Sequence, residues 1–492
     1  MFFSRRFSVF GGTAITVAMR WTDRLIGLVS TLILARLLMP EDFGIIAMAS
    51  LAIAFADVLL DLGVNVALIQ NRDATQAHYN TAWTLRLAQT SIATLALLMA
   101  APWAAAYFGD PRVAPVLQVL AFTLLLSGFE NIGIVAFHKH MQFGAEFRFL
   151  FLRRITGFLV TITAAWLLRS YWALVIGALS GRVVGVGLSY WLHPMRPRLS
   201  IEKFGEIFAV SQWMLVRSIG AYLHNNLHKM LVGRWTSTAT MGAYSLADEI
   251  SMMPSGELLA PLNRVLFPAF ADARDNPGEL KRLFLLAQGV QTLVAMPAAA
   301  GLALVADELV RLMLGDKWLA VVPFIQVLAL VNIAGSITTS GGYVLLVLGR
   351  IRDSVLNLWF QVALFATLAL TLFSGSEALQ IAWLRLYIGV GGIGLAIWLL
   401  LRALPILRLR EVVRSTVRPL LGTGGMIAVL TYALSNLEMP LLLVLAIKVL
   451  LGAATYVAVV AVLWWIAGRP QGAETYLLEK AGAMRAQRRD EH

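Results

Sequence analysis

The sequence predicts an all-α polytopic membrane protein with about 14 transmembrane helices, two pseudo-symmetric six-helix lobes and two extra C-terminal helices. Three observations predict it. Of the 492 residues, 59% are hydrophobic and only 14% charged, where soluble domains carry roughly 45–50% and about 25%. Apolar runs recur along the whole chain, each near the roughly 20 residues that cross a bilayer. Lys and Arg between the runs alternate in abundance: the side holding both termini collects roughly 25, the other about 5. An invented or missed helix would scramble that asymmetry. The net charge of +12 is therefore read as loop charge that fixes orientation, with both termini cytoplasmic, and not as a nucleic-acid surface.

The first run, 11–38, follows Arg5 and Arg6 with no small-residue cleavage site, so it is expected to be a retained helix. The next runs, 43–69, 80–106, 113–137, 147–168 and 171–193, complete an N-terminal lobe over 1–200. Runs 205–232, 239–267, 283–305, 320–348, 354–373 and 378–402 make a second lobe over 201–404. The remainder, 405–492, holds a basic loop, runs 418–436 and 440–467, and a basic tail. Cationic loops include Lys139/Arg148/Arg153/Arg154 and Arg402/Arg408/Arg410/Arg414/Arg418. On the other side, 306–319 keeps Leu309, Leu312 and Met313 and is expected to lie at the interface. No loop is long enough to fold as a catalytic domain, and no G-x-x-x-x-G-K-[ST] run is present. The chain has no cysteine, which removes thiolate metal sites. Neither enzymatic activity nor a cofactor is expected.

The second half echoes the first. Arg36, Gly44 and Ala49 are matched by Arg234, Gly242 and Ala247 at an offset of about 198 residues. Repeated halves are a common transporter plan, with the cargo site between them.

Charges inside the runs are the functional signal, because a charge at mid-bilayer costs about 2.5–3.5 kcal/mol and normally faces a bundle interior or a watery cavity. Arg20, Asp23 and Arg24 lie in the first run, Asp57 and Asp61 in the second, Arg86 in the third and Arg182 in the sixth. The seventh carries Arg217, His224, Asn225, Asn226, His228 and Lys229, of which Arg217, His224 and His228 share a helical face. The eighth carries Asp248, Glu249 and Glu257, with Pro254 and Pro261 expected to bend it. Arg20, Arg24, Arg86 and Arg217 are the expected cationic lining for an anion, which guanidinium forks bind well. His224, Asn225, Asn226, His228 and Gln212 are expected to add polar lining. His224 and His228 lack an evident third ligand, so no metal site is expected. Asp57, Asp61, Asp248, Glu249 and Glu257 are candidates for carrying a coupling ion. The competing structural reading is that Arg24 pairs with Asp57 or Asp61, that Lys229 and Lys448 snorkel to an interface, and that Arg182 sits at a helix end or contact.

Several stretches carry a resemblance. Ala35-Arg36-Leu37-Leu38-Met39-Pro40-Glu41-Asp42-Phe43-Gly44, Gly233-Arg234 followed by Met241-Gly242-Ala243-Tyr244-Ser245-Leu246-Ala247, Asn263-Arg264-Val265-Leu266-Phe267-Pro268-Ala269-Phe270 and Leu314-Gly315-Asp316-Lys317-Trp318 resemble the polysaccharide transporter branch of the multidrug/oligosaccharidyl-lipid/polysaccharide flippase superfamily, closest to its colanic-acid-type members. The resemblance implies two six-helix lobes about a central cavity, and further helices beyond twelve. It implies export of exopolysaccharide or lipopolysaccharide repeat units, as oligosaccharide on an undecaprenyl pyrophosphate carrier, across the bacterial inner membrane. Polysaccharide polymerase and glycosyltransferases are the partners that such a cargo suggests. An ion-coupled multidrug antiporter on the same scaffold would want an acidic pocket. A non-transporting component of a glycan-assembly complex is the other alternative.

Overall fold

In the computed structural model, residues 2–60, 68, 75–139, 142–207, 212–433 and 439–480 are described, and they form helices with no strand among them. The chain divides into two compact units, Met1–Gly242 and Ala243–His492. Helices lie over the described parts of the expected runs. Nine helices among the described residues are long and apolar enough to cross a membrane by length and composition.

The first unit contains α1 (Phe2–Leu37), α2 (Pro40–Leu60), α3 (Gln76–Phe108), α4 (Val113–Phe129), α5 (Ile134–Lys139), α6 (Phe143–Leu168), α7 (Trp172–Leu192), the single turn α8 (Phe204–Ile207) and α9 (Gln212–Trp235). Its core is built where Ile45 and Ala49 of α2, Leu97 of α3, Leu117 and Leu120 of α4 and Val175 of α7 meet. α9 lies within this compact unit, which ends at Gly242. Tyr222 of α9 explains its attachment: its hydroxyl donates to the Leu51 carbonyl at 2.6 Å, and its ring lies 5.3 Å from that of Phe55.

The second unit contains most of α10 (Thr238–Asp272), then α11 (Pro277–Leu304), α12 (Ala306–Met313), α13 (Val322–Val347), α14 (Ile351–Thr371), α15 (Ala378–Ala403), α16 (Leu409–Ala433) and α17 (Leu441–Ile466). One core gathers Phe270, Phe284, Val344 and Leu400. The two extra helices attach through another, in which Met426, Leu430, Tyr456 and Val460 pack on Ala300. Pro254, Pro261 and Pro268 lie within α10. Near the first of them the Asn332 amide donates to the Ser251 carbonyl at 2.9 Å, the kind of neighbouring donor that makes proline tolerable in a buried helix. In the 306–319 segment Val310, Leu314 and Trp318 are buried, Leu309 and Met313 are half-buried and Leu312 is exposed. The Lys448 ammonium lies 2.5 Å from Glu308 of the same segment.

The hinge repeat is realised as a reciprocal contact. The helix break at Leu37–Pro40 corresponds to that at Trp235–Thr238. A Cβ on Gly44 would stand 1.9 Å from the Thr238 carbonyl oxygen, and a Cβ on Gly242 would stand 1.9 Å from that of Pro40. The start of each helix therefore lies on the start of the other, backbone against backbone, which only glycine permits. Side chains hold the junction. Asp42 accepts from the Met39 N–H and the Tyr171 N–H, both at 2.9 Å, tying the start of α2 to the turn before α7. Buried Asp110 accepts from Thr238 Oγ1 at 2.8 Å and from Arg112 Nη2 at 2.8 Å. Arg234 donates to the Tyr107 carbonyl at 2.7 Å, with its guanidinium over the Tyr107 ring at 4.8 Å.

The expected continuous run 113–137 is broken. α4 stops at Phe129, Glu130–Gly133 are not helical, and α5 begins at Ile134. Buried Asn131 supports the break. Its backbone N–H donates to Ser189 Oγ at 2.9 Å, its amide donates to the Met195 carbonyl at 2.7 Å, and its side-chain oxygen accepts from the Gly133 N–H at 2.9 Å. Irregular backbone at membrane depth persists only where protein satisfies it in this way.

Gly44→Ala and Gly242→Ala should each force the two helix starts apart, costing about 1–3 kcal/mol by overpacking; thermal melting of the detergent-purified protein reads this as a lower midpoint, and an unchanged midpoint contradicts the contact. Asn131→Ala should cost about 2–4 kcal/mol through lost hydrogen bonds and stranded backbone groups, and wild-type melting would contradict that. The Arg112 hydrogen bond holds the Asp110 carboxyl below its usual range. Its stabilisation is thus present above the unfolded carboxylate value of about 4 and lost as pH falls through the lower folded value. Melting between pH 7 and 3 should show that acid loss, and Asp110→Asn should remove this part of it.

Candidate functional site

Glu130 occupies the gap in the broken helix, and three arginines converge on it. Its backbone is extended (φ −56°, ψ 139°) at the end of α4. Arg86 of α3 approaches Oε2 with Nη2 at 3.5 Å. Arg153 of α6 and Arg182 of α7 approach Oε1 with Nη1 at 3.3 and 3.5 Å. Arg86, Arg153 and Arg182 each stand ten residues from the same end of their helices, as read along the antiparallel order. At 1.5 Å rise per residue each of the three stands about 15 Å along its helix from that end. Four helical elements thus deliver their charges to one level.

The geometry is that of a cage with an accessible rim. The Glu130 side chain is 9% exposed, whereas those of Arg86, Arg153 and Arg182 are 24%, 30% and 36% exposed. The Arg153 guanidinium also lies 5.5 Å from the Phe149 ring centre, which orients it. Gly185 leaves the needed room: a Cβ there would be 2.8 Å from Arg153 Cδ and 3.3 Å from Glu130 Oε1. Three guanidiniums against one carboxylate leave two positive charges in excess. Asp57 of α2 is exposed and within electrostatic reach of Arg86, outside that contact ring. The next residue of α6, Arg154, pairs with Asp23 of α1 at 3.2 Å.

Of the expected lining residues, Arg86 is the one brought into this cage. Arg20 is half-buried and Arg24 exposed on α1; on α9, Arg217 and Asn225 are exposed and His224 is half-buried. The Asn226 amide donates to the Tyr222 carbonyl at 3.0 Å. His228 is buried with Nε2 2.8 Å from the Asn225 carbonyl, a bond within its own helix. Among the described residues no group of three or more metal-ligating side chains stands together.

Of the expected ion carriers, Asp248 is buried and meets Arg385 of α15 at 2.8 Å, a closed ion pair inside the second unit. Glu249 is exposed and Glu257 half-buried on α10. Asp61 and the Gln212 side chain lie outside the described residues.

Sequence reading missed Glu130 and Arg153. Glu130 is flanked by Gly128, Asn131 and Gly133, a cluster of helix breakers around one acid in an apolar run, and that signal was available. Arg153 lies within the expected run 147–168, close enough to its start to be grouped there with the loop charges Lys139, Arg148 and Arg154.

A family model for polysaccharide biosynthesis proteins matches residues 33–323. The lipopolysaccharide biosynthesis protein WzxC of Escherichia coli (strain K12) is 26% identical over 350 residues, 69% of this chain and 70% of that one. The teichuronic acid biosynthesis protein TuaB of Bacillus subtilis (strain 168) is 27% identical over 422 residues, 82% and 84% of the two chains. Among solved structures, the lipid II flippase MurJ in its inward closed conformation matches with a TM-score of 0.72 at 11% identity, over 93% of this chain and 100% of that one, a likeness of fold. With more than half of its length matched by the family model, this multi-pass membrane chain belongs to the polysaccharide biosynthesis protein family.

Proposed function

We propose that the protein is a flippase that carries an undecaprenyl-pyrophosphate-linked oligosaccharide repeat unit across the bacterial inner membrane by alternating access, for exopolysaccharide or lipopolysaccharide export. The observation that carries this reading is the cage: three guanidiniums with exposed edges in direct contact with a single carboxylate. A diphosphate diester bears two negative charges and the paired oxygens that guanidinium forks recognise. A cationic drug would be repelled from the same place, which argues against the antiporter alternative.

Support also comes from the relatives, named for lipopolysaccharide and teichuronic acid biosynthesis, and from the fold match to a lipid II flippase. In this reading the cage holds the head group, the prenyl chain stays in lipid, and Arg20, Arg24 and Arg217 belong to the cationic path. The chain itself makes and breaks no covalent bond. With both termini cytoplasmic, as the loop charges favour, export moves a net anion outward. An inside-negative potential helps that movement by about 2.3 kcal/mol per charge per 100 mV.

In proteoliposomes loaded with a fluorescent lipid-linked oligosaccharide, the wild-type protein should accelerate the change of sidedness over protein-free vesicles. Arg153→Gln should raise the cargo concentration for half-maximal rate about 10- to 100-fold, as expected for losing a charged hydrogen bond of roughly 1.5–3 kcal/mol. Transport no faster than in empty vesicles, under any imposed gradient, overturns the proposal.

A further inference from the structure

We propose that Glu130 is a tethered stand-in for the cargo's diphosphate: between cargoes it holds the three guanidiniums together, and the arriving diphosphate displaces it. This rests on the reading that the cage takes the head group.

The contact lengths carry the inference. Charged pairs at their best lie near 2.7–2.9 Å, and two buried arginine–carboxylate pairs among the described residues reach that range: Asp248–Arg385 at 2.8 Å and Arg418–Glu474 at 2.9 Å. Glu130 instead shares two oxygens among three arginines at 3.3–3.5 Å. Oε1 takes Arg153 and Arg182 together, and Oε2 takes Arg86. Its carboxylate sits where all three guanidiniums converge and closes tightly on none of them. A ligand with more oxygens and more charge has better contacts to offer each one.

The backbone is arranged for such an exchange. Glu130 follows the last residue of α4, so turning its side chain disturbs no helical hydrogen bond beyond the break. The next residue is pinned, Asn131 being bonded to Ser189, Met195 and Gly133. The carboxylate therefore moves by rotation about its own side-chain bonds while its anchor stays fixed.

The device has two consequences for transport. Without the carboxylate, three neighbouring guanidiniums would capture any passing anion. With it, an anion must outcompete a carboxylate already in place, which favours a diphosphate over a singly charged ion. On the far side the same carboxylate can return to the arginines and help the head group leave. Glu130 is on this account a positioning and specificity residue and forms no bond with the cargo.

The test separates binding from turnover. Inorganic pyrophosphate binding to the detergent-purified protein is measured by calorimetry, alongside lipid-linked oligosaccharide transport in proteoliposomes. Glu130→Gln should bind pyrophosphate about tenfold more tightly than wild type, as for one removed competing charge of about 1.4 kcal/mol. It should also lose the preference for pyrophosphate over acetate, and turn cargo over more slowly at saturation. Glu130→Asp, with its carboxylate drawn back by one methylene, should fall between the two. A purely structural Glu130 predicts the reverse, weaker binding as the guanidiniums scatter. Should wild type bind and Arg153→Gln weaken binding while neither Glu130 variant tightens it, the stand-in role is wrong and the head-group reading survives. Should wild type not bind pyrophosphate at all, with Arg153→Gln indistinguishable from it, the head-group reading fails and takes the stand-in with it.

Discussion

A charge at membrane depth has to be answered by another charge or by water, and the interior of this protein is arranged by that requirement. Bulk hydrocarbon offers neither, so an unanswered guanidinium there is costly. Two answers are closed: Asp248 with Arg385 and Glu308 with Lys448, at 2.8 and 2.5 Å. In each, a cation and an anion meet at close contact distance. The third answer is incomplete. Arg86, Arg153 and Arg182 share Glu130, so none of them has a carboxylate to itself in that contact.

That incomplete answer depends on a broken helix. A regular α-helix through residues 130–133 would carry the Glu130 carboxylate along with its backbone, and the chain would need no help from Asn131. The break leaves polar backbone groups in a buried setting, which is tolerable because Ser189, Met195 and the Asn131 side chain pair with them. At the opposite end of the same unit, the glycine contact between the starts of α2 and α10 uses no charge at its centre. There the constraint is steric, and Asp42, Asp110 and Arg234 surround it with hydrogen bonds.

Much of the fold was legible in the sequence, and for clear physical reasons. Apolar length follows from the thickness of the bilayer itself, so helices stand where that signal placed them. The offset between Gly44 and Gly242 was legible because a backbone-to-backbone contact tolerates no other residue. The site was legible in part. Arg86 stood out as a charge in an apolar run, but Arg153 did not, since it stands near the start of its run beside Arg148 and Arg154 and reads with them as loop charge. Glu130 was hidden because hydropathy averages over a window and one acid among so many apolar residues barely lowers it. That Arg182 should share its carboxylate with Arg86 and Arg153 was beyond sequence reasoning, since it depends on how α3, α6 and α7 pack against the end of α4. Asp248 shows the converse: an acid in an apolar run reads as a working group from sequence, and its buried partner Arg385 is visible only in three dimensions.

The central claim is that the cage around Glu130 receives a diphosphate. The most direct measurement is an experimental structure of the protein in lipid nanodiscs with bound undecaprenyl-diphosphate-linked oligosaccharide. The account predicts phosphate density within hydrogen-bonding distance of Arg86, Arg153 and Arg182, with the Glu130 carboxylate turned out from among them. Head-group density elsewhere, with Glu130 still between its three arginines, would contradict it.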